Sequence, residues 1–136
     1  MYKPKYFTIE ELCNSTTAKS KGIDNIPSAE TRTNLLRLIE YVLDPLRTQY
    51  GKPIKVNSGY RCPALNKMVG GSKTSHHVYG MAADISAGDA AKNRQLFLLA
   101  QRMNLPYCQL IDEYGYKWVH ISYNARDVRK QILHIN

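Results

Sequence analysis

The stretch SKTSHHVYGMAADIS, residues 72–86, sets two adjacent histidines, a glycine, two alanines and an aspartate close together. Imidazole nitrogen and carboxylate oxygen both ligate zinc, at about 2.0–2.2 Å. His77 and Asp84 are separated by VYGMAA, and Gly80 in that spacer disfavours an uninterrupted helix. A turn through Gly80 followed by a short strand would bring Asp84 back beside His77. Two donors are too few, because a catalytic zinc site usually takes three protein ligands and leaves one position open. The third is expected at His120, in KWVHISY. On a strand there, Val119 and Ile121 face the core while Trp118 and His120 share the opposite face. His76 is the rival to His77, since only one of two neighbours on an extended backbone points inward. His134 lies outside the pattern. Each residue alone also has an ordinary explanation, as a hydrogen-bonded core histidine or a turn aspartate, and loose His/Asp spacings recur widely.

The elements that must position these residues are legible in outline. FTIEEL reads as a short helix capped by Thr8, with Glu11 as capping-box partner. NSTTAKSKGIDNIPS reads as a loop. Ser28 caps a long helix starting at Ala29, with Leu35, Ile39, Val42, Leu43 and Leu46 on one face. Pro45 should kink it or split off its last turn, and Gly51 should end it. PIKVNSGYR is strand-like, CPALNKMVGG is a short helix closed by Gly70 and Gly71, and AADIS is a short buried strand. DAAKNRQLFLLAQRMN is a second clear helix, with Leu96, Leu99, Ala100 and Met103 as its apolar face. CQLIDEY and KWVHISY are strands around Gly115, and QILHI is a last, shorter strand. The expected fold class is α+β, with helices packed on one face of a mainly antiparallel sheet.

With 136 residues and 43% hydrophobic composition, the chain fits one domain, residues 1–136. It has no run of about eighteen apolar residues, so no membrane span is expected. MYKPKYFTIEEL lacks an apolar leader segment, so synthesis in the cytoplasm without a signal peptide is expected. Cys13, Cys62 and Cys108 are widely spaced and odd in number, which argues for reduced thiols rather than a disulfide or cysteine–metal framework. The net charge of +8 favours anionic partners, an anionic cell wall among them. The basic residues are scattered without interleaved aromatics, so no specific nucleic-acid partner is expected.

Taken in order, the motifs resemble one family. Ser75, His77, Gly80, Ala82 and Asp84 form S-x-H-x-x-G-x-A-x-D; SGYRCPALNKMVGGSKTS precedes it and WVHIS follows. Together these resemble the zinc D-alanyl-D-alanine metallopeptidases, which share a fold core with the hedgehog signalling domain. FTIEEL, GIDNIPS, LDPLR and the QLI-x-E…WVHIS ending are similar to a small, phage-associated branch, so the resemblance covers nearly the whole chain. It implies a zinc-dependent hydrolase of peptide bonds in peptidoglycan stem peptides, with His77, Asp84 and His120 as ligands. It implies Arg61 as the cation that polarises the scissile carbonyl or binds a substrate carboxylate, a task suited to its planar fork. Ser75, Trp118 and Asn66 are expected beside the substrate, Ser75 orienting the loop or a ligand and Asn66, with Gly70 and Gly71, shaping nearby backbone.

The reaction needs an acid that takes a proton from water and passes it to the leaving amine. In many members of that family it stands three positions before the third ligand, where this chain has Lys117. The nearest acids are Asp112 and Glu113. A two-residue turn at Tyr114-Gly115 pairs Glu113 with Tyr116 and puts Glu113 on the face of His120; a three-residue turn puts Asp112 there instead. The two-residue register favours Glu113 but leaves it about 13 Å from His120, so a longer or bulged turn must shorten the path.

The leading expectation is a monomeric murein metallopeptidase, a carboxypeptidase or an endolysin-type endopeptidase, that acts at the cell wall during phage lysis or from a virion. The alternative is a non-catalytic, zinc-stabilised cell-wall or partner-binding module of the same fold.

Overall fold

The computed structural model describes residues 2–136. Helix α1, Ile9–Cys13, is capped as its sequence demands: Thr8 Oγ1 accepts from the Glu11 N–H at 3.0 Å. The polar stretch after it is not wholly loop. Ser15 caps a one-turn helix α2, Thr16–Ser20, which the glycine and proline further on conceal in the sequence.

Helix α3, Ala29–Leu38, starts at the Ser28 cap and passes through a π-helical turn, Ile39–Leu43, into α4, Asp44–Tyr50. Pro45 explains the π turn. It has no N–H to donate and its ring collides with the carbonyl four residues back. Widening the preceding turn absorbs the misfit, and Asp44 N–H reaches back to Ile39 O. Gly51, at φ 76°, ends α4 in the left-handed conformation.

Then follow β1 (Lys55–Ser58), α5 (Pro63–Met68), a 3₁₀ turn (His76–Tyr79), β2 (Ala82–Ser86), α6 (Ala90–Arg102), β3 (Gln109–Glu113), β4 (Trp118–Ser122) and β5 (Gln131–Ile135). The strands form one sheet in the order β1-β2-β4-β3-β5. β1/β2, β2/β4 and β3/β4 are antiparallel, whereas β5 returns alongside β3 in parallel, so the sheet is mixed.

One face of this sheet carries Ala83, Ile85, Leu110, Val119 and Ile121, all buried against Leu35, Leu38, Ile39, Val42, Leu43 and Leu46 of the α3–α4 stretch and Leu96, Phe97 and Ala100 of α6. Each of the valine, leucine, isoleucine and phenylalanine side chains contributes about 1.5–3 kcal/mol by leaving water. The buried face of α6 is rotated from the expected one. Asn93 and Phe97 are buried with Leu96 and Ala100, while Leu99 and Met103 are only partly covered. By strand alternation the opposite face of the sheet presents Asp84, Ile111, Glu113, Trp118 and His120.

Candidate active site

On the open face, His77, Asp84 and His120 come together. β2 and β4 pair Asp84 directly with His120, so their side chains leave the sheet side by side. His77 arrives from the 3₁₀ turn, whose first backbone donors are capped by Ser75: Ser75 Oγ accepts from His77 N–H at 3.2 Å. Gly80, at φ 71°, then reverses the chain into β2. A side chain at Gly80 would also meet Thr31 O at 2.8 Å and its methyl at 2.7 Å.

His77 Nε2 lies 3.3 Å from Asp84 Oδ1, and His120 Nδ1 lies 3.0 Å from the same oxygen. One ligand atom from each of the three residues falls within 4.8 Å of the others. Tetrahedral ligands at zinc bond lengths stand about 3.4 Å apart, so this spacing fits such an ion. The tautomer fits too. His77 Nδ1 is 2.7 Å from Gly59 O. A carbonyl only accepts, so Nδ1 carries the proton and Nε2 is left with its lone pair toward Asp84. Burial alone would push the Asp84 carboxyl up, but the His120 and His77 imidazoles beside it outweigh burial and hold it well below its ordinary range. A buried, ionised carboxylate beside two imidazoles is the donor chemistry of a divalent cation site.

The surrounding cleft has a volume of about 680 Å³. A larger concavity, about 880 Å³, lies between the N-terminal segment and α3 but gathers no such donor set, so size does not mark the site. Arg61 reaches the cleft from the loop after β1. That loop is pinned on several sides: Tyr60 N–H to Leu12 O at 2.7 Å, Arg61 N–H to His77 O at 3.1 Å, and Cys62 N–H to Asn25 Oδ1 at 2.7 Å. Asn25 also donates to Tyr60 O and Cys13 O. Arg61 Nη2 donates to Ser75 Oγ at 3.3 Å, while its buried Nε has no partner. Burial lowers the Arg61 pKa, opposed by Asp84 and Glu113.

The β3–β4 connection corrects the expected hairpin register. Glu113 pairs with Trp118, not Tyr116, across a four-residue turn, Tyr114–Lys117. Tyr114, Gly115 and Tyr116 all take positive φ, and Lys117 N–H closes onto Glu113 O at 3.1 Å. The longer turn removes the distance problem: Glu113 Oε2 stands 3.8 Å from His120 Nδ1. Burial and the Asp84 charge raise the Glu113 pKa, against the pull of His120 and a nearby Trp118 indole. That indole N–H is buried and makes no hydrogen bond of good geometry. Asp112 falls on the opposite face, buried and hydrogen-bonded to His134 Nδ1. Lys117 is exposed and does not line the cleft.

Ser75 and Trp118 line the cleft, as do His76, Gly70, Ser72 and Thr74. Asn66 does not. It is buried behind the wall, donates to Ser72 O at 2.8 Å and packs where a Gly71 side chain would sit. From there it holds the Gly70–Ser72 backbone. Three supporting residues escaped sequence reasoning: Gly59, Asn25 and Asn93. Gly59 carried a signal, since it lies inside SGYR, but the reason is spatial: a Cβ there would sit 2.2 Å from Leu12 O.

A zinc D-Ala-D-Ala carboxypeptidase from Streptomyces albus G is 41% identical over 88 residues, covering 62% of this chain and 32% of that protein. The chain thus spans about a third of the length of the curated relative it matches. A family model described as Peptidase M15 matches residues 5–122, a span that takes in the whole donor set, and this chain belongs to the peptidase M15 family.

Proposed function

We propose that this chain is a zinc-dependent peptidase that hydrolyses peptide bonds in peptidoglycan stem peptides, by D-Ala-D-Ala carboxypeptidase or endolysin-type endopeptidase cleavage. The observation that carries this reading is the convergence of His77, Asp84 and His120 at one edge of an open cleft that also holds Glu113 and Arg61. The similarity to a zinc D-Ala-D-Ala carboxypeptidase supports the metal and the substrate class.

Zinc held by His77, Asp84 and His120 would supply Lewis acidity, making water easier to deprotonate and a carbonyl easier to attack. Glu113 takes the proton of the attacking water and delivers it to the departing amine. Its partial burial suits this, because a desolvated carboxylate is the stronger base. Arg61 donates to the oxygen that gains charge or to a substrate carboxylate. Ser75 fixes both the His77 backbone and the Arg61 guanidinium. The Trp118 side chain supplies part of the cleft wall beside the substrate. The net charge of +8 holds the protein on an anionic wall.

Digestion of defined muropeptides with zinc present, read by mass spectrometry, tests the reading. Cleavage within the stem peptide, lost together with zinc in His120→Ala, is the expected result. Zinc binding without turnover on any murein fragment would instead identify a binding module.

A further inference from the structure

β5 lies beyond the residues that the family model matches, yet it helps to build the cleft. Its register against β3 pairs Glu113 with Ile135. Paired residues on neighbouring strands share a face, and the strands stand about 4.8 Å apart. The contacts agree. Gln131 accepts from Gln109 Nε2 at 2.8 Å on the cleft side, while His134 meets Asp112 and, at 5.7 Å between rings, Phe97 on the helix side. Ile135 is therefore the next side chain outward from Glu113 on the open face. It is 40% exposed and lines the cleft. Its position is fixed by its carbonyl, which accepts from Tyr114 N–H at 2.7 Å. Tyr114 in turn sets its ring edge-on to Trp118, 5.3 Å between centroids.

We propose that Ile135, with Tyr114, forms the wall that meets the side chain of the amino acid leaving from the scissile bond, and that Ile135 sets the size of the leaving side chain the site accepts. The inference rests on the peptidase reading above. Glu113 hands its proton to the leaving amine, so the residue carrying that amine lies against Glu113, and Ile135 is the neighbour it meets. Beside Glu113, the wall on this side, Gln109, Ile111, Tyr114 and Ile135, is uncharged. An anionic leaving side chain would meet the like charge of Glu113 here. A small apolar one gains contact.

The test compares the wild-type chain with Ile135→Ala and Ile135→Trp, each with zinc, on N-acylated peptides ending in D-Ala-X, where X is D-Ala, D-Leu or D-Lys. Ile135→Ala should raise the D-Leu to D-Ala ratio of kcat/KM roughly tenfold, the scale set by one or two methylenes in an apolar pocket. Ile135→Trp should lower it, and the change should fall on KM more than on kcat. A second readout does not need turnover. Trp118 is the chain's one tryptophan, so its fluorescence reports binding of D-alaninamide and D-leucinamide, and Ile135→Ala should tighten D-leucinamide relative to D-alaninamide. Zinc content should match in all three proteins. A cleaving wild type whose ratios stay the same in both variants would overturn the inference alone. A wild type inactive on every peptide would overturn the peptidase reading and the inference with it.

Discussion

Asn93 is the residue through which α6 controls the hairpin that carries Glu113, and replacing it makes the sharpest structural prediction. It is 1% exposed. Its Oδ1 accepts from Ala87 N–H at 2.6 Å and Ser86 Oγ at 3.3 Å, and its Nδ2 donates to Tyr116 O at 2.9 Å and Lys117 O at 3.2 Å. Asn93→Leu keeps the branched shape and heavy-atom count and removes all four bonds. The Ala87 N–H and Tyr116 carbonyl then lose their partners, at about 1–3 kcal/mol for each group that water cannot reach. A loss of about 3 kcal/mol lowers the melting temperature by roughly 10 °C for a chain of this size. Thermal unfolding by circular dichroism measures it. The turn is also freed to shift, so kcat/KM on stem peptides should fall at least tenfold while zinc stoichiometry holds, because Asn93 touches no residue of the donor set. A melting temperature within about 2 °C of wild type, the scale of a neutral surface substitution, would refute the reasoning.

Three further outcomes are expected. Gly59→Ala forces a Cβ onto Leu12 O and displaces the carbonyl that orients His77; it should cost about 1–3 kcal/mol in a chemical-denaturation curve and weaken zinc roughly 10–100-fold in a competition titration. Arg61→Lys keeps the charge but not the fork, so kcat/KM should fall by more than about tenfold with zinc content intact. Chelation should lower the melting temperature, since zinc at a hundred times its Kd stabilises the folded chain by about 2.7 kcal/mol; scans with and without a chelator read it directly.

What could be read in the sequence was local. Ser75 to Asp84 is short enough for the Gly80 reversal to be inferred from residue types, and the alternation in WVHIS places His120 opposite Val119 and Ile121 without any knowledge of the sheet. The hairpin register could not be read that way. Tyr114-Gly115 favours a two-residue turn by local propensity, but Asn93, two dozen residues earlier, bonds two turn carbonyls and stabilises the four-residue form. The same distance in sequence hid the clamp by Asn25 on the Arg61 loop and the pairing of β5 with β3. Asp112 and Glu113 are neighbours in the chain, and only the register separates a helix-side acid bonded to His134 from one in the cleft. The π turn was half visible: Pro45 announces a defect, but not which way the helix relaxes.

Anomalous diffraction from zinc-soaked crystals, collected on both sides of the zinc absorption edge, addresses the centre itself. One peak is predicted, at about 2.0–2.2 Å from His77 Nε2, an Asp84 carboxylate oxygen and His120 Nδ1, with Glu113 outside the bonded set. An ion held by His76 or His134 instead, or no peak between these three side chains, would contradict the account.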